Sequence, residues 1–385
     1  MRTVITAERL LTPHEAIDSP LVIVEEGRIS VLESRSTVAL PPGRLLEFPG
    51  FVLAPGLIDL HIHGGAGHDV MEGDGEAQEE FELRLLRHGV TAYLPTTVTA
   101  PLEKILSALD RLGGSISQSD SVNRGARALG IHLEGPFISH ETRGVHPPAN
   151  LLQPSPAMLD KFWQASQGTL RMMTIAPELP EASETIAHAR ALGIISSLGH
   201  SNATFEEANR GISAGASHAT HTFNAMRALD HRSPGLLGAI LKNDAVTADI
   251  IADGIHVHPS VVNLFLRAKG PERAVLITDA ISATGMPDGV YKLGSFDVEV
   301  KGGRCDYQGK LAGSVLTLDR AVRNVMKFAE WNLQRAVTLA TANPASVLGI
   351  TNERGFLARG RRADLVVLTP DGEVAHTIVA GEMVH

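Results

Sequence analysis

Cysteine is nearly absent from this 385-residue chain, where Cys305 stands alone. A single thiol excludes an intrachain disulfide and any thiolate-rich metal site. Basic charge is scarce as well: 34 Lys and Arg against 43 Asp and Glu leave a formal charge of -9 at pH 7. That argues against broad binding to nucleic acid or to an anionic membrane surface, both of which need a basic face. A small anionic ligand stays open where a few cations gather in one pocket. No run approaches the roughly 18 apolar residues of a membrane span. Near the N-terminus, Glu8 interrupts the sequence before a signal-type apolar core of about 7–15 residues develops. The expectation is a cytoplasmic protein without a membrane or nucleic-acid partner. Solenoid repeats and low-complexity tracts are missing too.

What the chain does have is enough apolar sequence, 43% of residues, to bury a large core, and its length suggests about two domains. Its two ends read as short strands and turns. "EEGR" (Glu25, Glu26, Gly27, Arg28) is a hairpin signal between alternating apolar runs, and "PDG" (Pro370, Asp371, Gly372) marks another turn. Between about residues 53 and 350, eight β-branched runs alternate with helical patterns. The runs are "GLIDLHIH", "VTAYLPTTV", "ALGIHLEG", "RMMTIAP", "IISSLGH", "HATHTF", "VTADIIADG" and "AVLITDA". Such βα alternation predicts the α/β class and a (β/α)8 TIM-type barrel over 53–354. The termini, 1–52 and 355–385, then form one small β-sandwich domain. The glycine-containing stretch "YKLGSFDVEVKGGRCDYQGKLAGS" reads as a hairpin insertion late in the barrel.

Polar residues gather at the predicted strand ends. His61 and His63 close the first strand, Glu134 the third and His200 the fifth; His221 lies in the sixth and Asp279 at the end of the eighth. Alternate residues of a strand share a face, so both first-strand imidazoles reach one point. Barrel enzymes carry their active residues at these C-terminal ends. Imidazole and carboxylate suit borderline divalent ions such as zinc, and four or five of them can hold one or two ions. Any one of these residues alone also fits a hydrogen-bonded or salt-bridged loop position; the joint pattern favours a metal site. Asp279 suits general acid–base work beside a metal, with a sixth-ligand or helix-capping role as the alternative.

The chain resembles the amidohydrolase superfamily and, within it, the N-acetylglucosamine-6-phosphate deacetylase family. The resemblance rests on "PGLIDLHIHGGAGHDV", "GIHLEGPFI", "RGVHPPAN", "SLGHSNAT", "GASHATHTFNAM", "HRSPGLLGA", "ADIIADGIHVHP", "LITDAISATG" and "GKLAGSVLTLDRAV". It implies hydrolysis of the acetamide of a phosphosugar, one or two zinc ions per subunit, and a homodimer. The implied ligands are His61, His63, Glu134, His200 and His221, with Asp279 and His146 as catalytic groups. Many amidohydrolases bridge two metals with a carboxylated lysine after the fourth strand; "RMMTIAPE" offers no lysine, and Glu134 takes the bridging place. Arg232 and His256 are candidate phosphate contacts, since guanidinium and imidazole donate to phosphate oxygens. By resemblance Val145, Asn224, Ala225, Asp253, Gly254, Ile255 and the loop Leu311, Ala312, Gly313 also meet the substrate. Two other readings remain: a cyclic-amide or imide hydrolase of the same superfamily, and a catalytically silent barrel used for binding.

Overall fold

The computed structural model describes residues 2–35, 40–72, 75–118 and 125–385. It is a mixed α/β protein whose centre is a curled sheet of six parallel strands. We number the parallel strands β1 (Leu57–Ile62), β2 (Val90–Thr97), β3 (Ile131–Glu134), β4 (Leu170–Ile175), β5 (Ile195–Leu198) and β6 (His218–Ala219). These six pair in chain order. Strands β7 (Ala248–Ile251) and β8 (Ala274–Ile277) form a parallel pair, and Ile62 of β1 bridges to Ala280 just beyond β8. Every residue of β1 and β2 is buried, as expected of parallel strands covered on both faces. Helices separate most of the strands, and their starts are locally encoded. Before Phe205–Ala214, for example, the Thr204 hydroxyl accepts from Glu207 N–H while the Glu207 carboxylate accepts from Thr204 N–H. This capping box fixes where the loop after β5 ends.

Both ends of the chain join one eight-stranded sheet. Its order runs Glu382–Met383, Val374–Val379, Leu365–Leu368, Arg44–Pro55, Arg2–Leu11, Pro20–Glu25, Arg28–Ser34, with Ala16–Asp18 beside Arg2–Leu11. The "EEGR" turn is there: Glu26 and Gly27 both have positive φ, 52° and 74°, as a two-residue turn matched to strand twist requires. Ile5, Leu10, Val22, Leu53, Leu365 and Ile378 share a core of their own. A buried ion pair between Arg354 and Asp364 ties this sheet to the preceding helices, and the Asp364 carboxylate also accepts from Ala380 N–H at 2.8 Å. Asp364→Asn therefore leaves the Arg354 guanidinium buried without its counter-charge, and we expect a loss of about 3–5 kcal/mol in urea unfolding. A loss under about 1 kcal/mol would show that the pair is dispensable.

The late insertion is larger than a hairpin. It forms a four-stranded antiparallel sheet, Gly289–Leu293, Phe296–Lys301, Arg304–Tyr307 and Lys310–Leu311. Alternation in "FDVEVK" sends Phe296, Val298 and Val300 inward and Asp297, Glu299 and Lys301 outward. That apolar face packs with Leu293, Ala312, Cys305 and Ile281, and with Val98 just after β2. The buried Asp69 carboxylate accepts from Gly294 N–H at 2.6 Å and so anchors the insertion's first turn. Among the described residues no helix is long and apolar enough to cross a membrane.

Candidate metal centre and active site

All six residues singled out at the strand ends converge. Glu134 Oε1 lies 3.0 Å from His221 Nε2, 3.2 Å from His200 Nε2 and 3.5 Å from His61 Nε2. Its Oε2 lies 3.3 Å from His63 Nε2. Asp279 Oδ1 is 3.1 Å from His63 Nε2 and 3.4 Å from His61 Nε2. Two triads result, Glu134–His200–His221 and His61–His63–Asp279, each with its candidate ligand atoms within 4.8 Å of one another. His61 on β1 and His63 one residue past its end keep the strand's alternation: their Nε2 atoms stand 3.1 Å apart.

The hydrogen-bond partners decide which nitrogens are free. His63 Nδ1 meets the Thr96 carbonyl at 2.9 Å and His200 Nδ1 meets the Thr142 carbonyl at 3.1 Å. A carbonyl only accepts, so each Nδ1 carries a proton and each neutral ring turns its Nε2 lone pair inward. Those lone pairs face carboxylate oxygens at 3.1–3.3 Å. Lone pair against carboxylate is repulsive unless a cation sits between or the ring takes a second proton. A divalent ion meets this need at both triads, and imidazole and carboxylate are the donor types such an ion prefers. The residues present therefore fit a metal centre.

Without a cation between them, the same carboxylates draw protons onto two of these rings instead. Burial disfavours the charged form of His63, but Asp279 and Glu134 outweigh it and hold the imidazole well above its usual range. Burial likewise opposes protonation of His221, yet the Glu134 carboxylate brings it to about 9. His200 goes the other way, to about 4, because burial dominates. Glu134 is pushed up by burial and held well below the usual carboxylate range by its imidazole neighbours, His61 first and then His146 and His221. Asp279 is treated the same way by His63 and His61, which hold it at about 2 against its burial. Both carboxylates are thus anionic at neutral pH, where a cation needs them.

His146 has the opposite tautomer. Its Nδ1 accepts from Thr99 N–H at 3.3 Å, with the Thr99 hydroxyl 2.8 Å away, so its proton is on Nε2. That Nε2 is 3.6 Å from Glu134 Oε2 and presents a donor beside the triads.

Backbone strain concentrates here. His200, His221 and Asp279 all have left-handed φ, 46°, 29° and 51°, each costing on the order of 1–3 kcal/mol for a residue with a Cβ. Neighbours hold them there. Asp279 N–H donates to the His61 carbonyl (2.9 Å), and its own carbonyl accepts from Ser314 N–H (2.7 Å). The buried Asp249 carboxylate accepts from His221 N–H and faces His218 Nε2 at 3.0 Å. Asp59 accepts from His61 N–H (3.2 Å), Thr278 N–H (3.3 Å) and the Thr278 hydroxyl (2.6 Å). Neither aspartate was singled out from the sequence.

An open cleft of about 690 Å³ lies over the triads. Of the expected substrate contacts, Val145, His146, Asn224, Ala225, His256, Leu311, Ala312 and Gly313 line it. The Asp253 carboxylate accepts from the backbone N–H groups of Ile255 and His256 and lies 2.7 Å from His256 Nδ1, orienting that ring. Gly254, at φ 78°, makes the turn between them, and a Cβ there would lie 3.2 Å from the Phe328 ring. Asp253, Gly254 and Ile255 thus shape the loop without lining the cleft. Arg232 stands apart too, exposed in the loop after β6, with its backbone N–H bonded to Asp230 at 2.8 Å. Val98, Gly144 and Leu293 also line the cleft, and their apolar character carried no signal of it in the sequence.

Comparison with known proteins agrees with this geometry. The amidohydrolase family model matches residues 52–384. An N-acetylgalactosamine-6-phosphate deacetylase of Escherichia coli O157:H7 is 37% identical over 384 residues, covering 100% of this chain and 99% of its own. An N-acetylglucosamine-6-phosphate deacetylase of Bacillus subtilis is 37% identical over 377 residues, 97% and 95% of the two chains. Among solved structures, a mutant N-acetyl-D-glucosamine-6-phosphate deacetylase of Mycobacterium smegmatis, in complex with N-acetyl-D-glucosamine-6-phosphate, superposes with a TM-score of 0.92. Its sequence is 34% identical, and the match covers 100% of this chain and 99% of that one. On the family match and these full-length relatives, the chain belongs to the amidohydrolase family.

Proposed function

We propose that the chain hydrolyses the acetamide of N-acetyl-D-glucosamine 6-phosphate to D-glucosamine 6-phosphate and acetate, in amino-sugar catabolism and cell-wall sugar recycling. The observation that carries this reading is Glu134, which belongs to one histidine triad and faces His61 and His63 of the other, under a cleft also lined by an anionic Asp279 and a donor His146. Zinc, one or two ions per subunit, is the proposed metal: Glu134, His200 and His221 would hold one ion, and His61, His63 and Glu134 would hold a second. When bound, such an ion would supply Lewis acidity that lowers the pKa of water toward about 7.

The chain's own groups do the rest. Asp279 accepts the proton of the attacking water as its oxygen bonds to the amide carbon. His146 Nε2–H donates to the carbonyl oxygen as that atom gains charge, a contribution of roughly 3–4 kcal/mol for one well-placed donor. Asp279 then returns the proton to the amine as the C–N bond breaks. Asn224, Ala225 and His256 hold the phosphosugar in the cleft, between walls formed by Val145 and the loop Leu311–Gly313; Asp253, Gly254 and Ile255 shape the loop that presents His256, and Arg232, outside the cleft in this chain, is the proposed cation for the phosphate.

The scaffold reading belongs to the same proposal: a closed (β/α)8 barrel over 53–354 beside a small β-sandwich from 1–52 and 355–385. The Ile62–Ala280 bridge and the core shared by both termini support it. The same proposal places the chain in the cytoplasm as a homodimer whose partner adds to the phosphate end. Leu229, 54% exposed, and Ile255, 40% exposed, flank Arg232 and His256 in sequence and give that end an apolar surface suited to a second copy.

Release of acetate, measured with the phosphorylated and unphosphorylated sugars, tests the function. Arg232→Ala is expected to lower kcat/KM for the phosphosugar on the order of 10- to 100-fold, as loss of a charged hydrogen bond does, and to leave N-acetylglucosamine almost unaffected. Equal losses on both would give Arg232 a structural role. The galacto epimer is a second candidate substrate, favoured by the full-length likeness to the Escherichia coli relative. Comparing kcat/KM for the two epimers separates them.

A further inference from the structure

The sugar and phosphate ends of the proposed substrate have polar partners in the loops after β6 and β7, where Asn224 and His256 line the cleft. Strand β2 stands four positions away from β6 in the sheet order, on the far side of the metal residues. Residues at the end of β2 clamp two groups of the site: the Thr96 carbonyl takes the His63 Nδ1 proton, and Thr99 bonds His146 Nδ1. Val98 lies between them in sequence. Its side chain lines the cleft and is almost wholly buried against the insertion, beside Leu293 and Ala312. The packing is close, for a Cβ on Gly294 would come within 2.6 Å of Val98 Cγ1. Leu293 is itself fixed from both sides, because its neighbour Gly294 donates to the buried Asp69 and its neighbour Lys292 accepts at its carbonyl from the Ser282 hydroxyl.

An alkyl group on the scissile carbonyl has no hydrogen bonds to make and gains by leaving water for an apolar wall. We propose that Val98 and Leu293, backed by Ala312, form the pocket for the acyl chain, so that the length of the acid released is set by the insertion and the end of β2. This rests on the deacetylase reading. A substrate whose phosphate lies toward β6 and β7, and whose amide carbon lies between Asp279 and His146, directs its acyl tail toward β2 and the insertion. The tight Val98–Leu293–Ala312 wall fits a short acyl group, so N-formyl and N-acetyl compounds are accepted and longer ones are excluded.

The test is kcat/KM for the N-formyl, N-acetyl, N-propionyl and N-butyryl derivatives of glucosamine 6-phosphate, with the metal-replete full chain and with Leu293→Ala, Val98→Ala and Val98→Leu. Each methylene beyond acetyl is expected to cost the unaltered protein about 10- to 200-fold, the usual range for a methylene in a snug pocket. Either alanine variant is expected to raise the propionyl-to-acetyl ratio at least about tenfold, and Val98→Leu to shift preference from acetyl toward formyl. If the variants lower turnover of all acyl lengths in proportion, or leave the ratios unchanged, Val98 and Leu293 only support the insertion and the pocket assignment is overturned. Failure of the unaltered protein to release any acid contradicts the deacetylase reading, and the pocket falls with it. The acyl series on the unaltered protein needs no substitution, so equal kcat/KM for acetyl and butyryl compounds would overturn the pocket even if a variant does not fold.

Discussion

Asp279→Asn is expected to lower kcat by about 10²–10⁴-fold, the range for a lost general acid–base group, with the fold and the ion at Glu134, His200 and His221 retained. The amide has nearly the same shape but cannot take a proton from water. The carboxylate is ionised and ready to accept a proton in the neutral range, because His63 and His61 hold it below the usual carboxylate range in spite of its burial. Its backbone remains fixed in the variant: the left-handed φ is held by main-chain bonds to His61 and Ser314, which the substitution leaves alone. Steady-state kinetics with circular dichroism and metal analysis on the same sample check this. A loss below tenfold, with metal content unchanged, removes Asp279 from the proton-transfer role.

The second large effect concerns Glu134. Its two oxygens face His61, His63, His200 and His221 at 3.0–3.5 Å, so Glu134→Gln takes a negative charge from both triads at once. Loss of an outer partner alone commonly costs 10- to 100-fold in metal affinity; loss of the shared carboxylate is expected to exceed 100-fold and to abolish turnover. Metal content after dialysis against buffered free zinc is the readout. Wild-type affinity in Glu134→Gln would mean that the two triads do not share this residue. In a parallel titration, saturated wild type is expected to bind more metal than the His61→Gln, His63→Asn double variant. Equal binding at no more than one ion per chain makes the first-strand pair something other than a metal site.

The six convergent residues were legible because strand ends carry a simple code. His61 on β1 and His63 just past its end share a face, and Glu134, His200 and Asp279 follow the last apolar residues of β3, β5 and β8. In "HATHTF" the code distinguishes less. His218 and His221 are three apart, and only the turn at His221 sends one ring to Glu134 while His218 meets Asp249. Asp59 and Asp249 could not be read as braces because Thr278, His218 and His221 come beside them only in the fold. Val98 and Leu293 look like any buried apolar residue, and their place on the cleft depends on how the insertion docks. The exposed Arg232 shows the complementary limit: a motif names a residue without showing what completes its surroundings.

The most direct test is acetate release from N-acetyl-D-glucosamine 6-phosphate by the purified protein before metal removal, after prolonged chelation, and after zinc is restored. Turnover by the metal-replete protein, its loss in verified metal-free protein and its return with zinc are predicted. Full turnover by metal-free protein, or none by protein carrying its metal, would contradict a metal-dependent deacetylase built around Glu134.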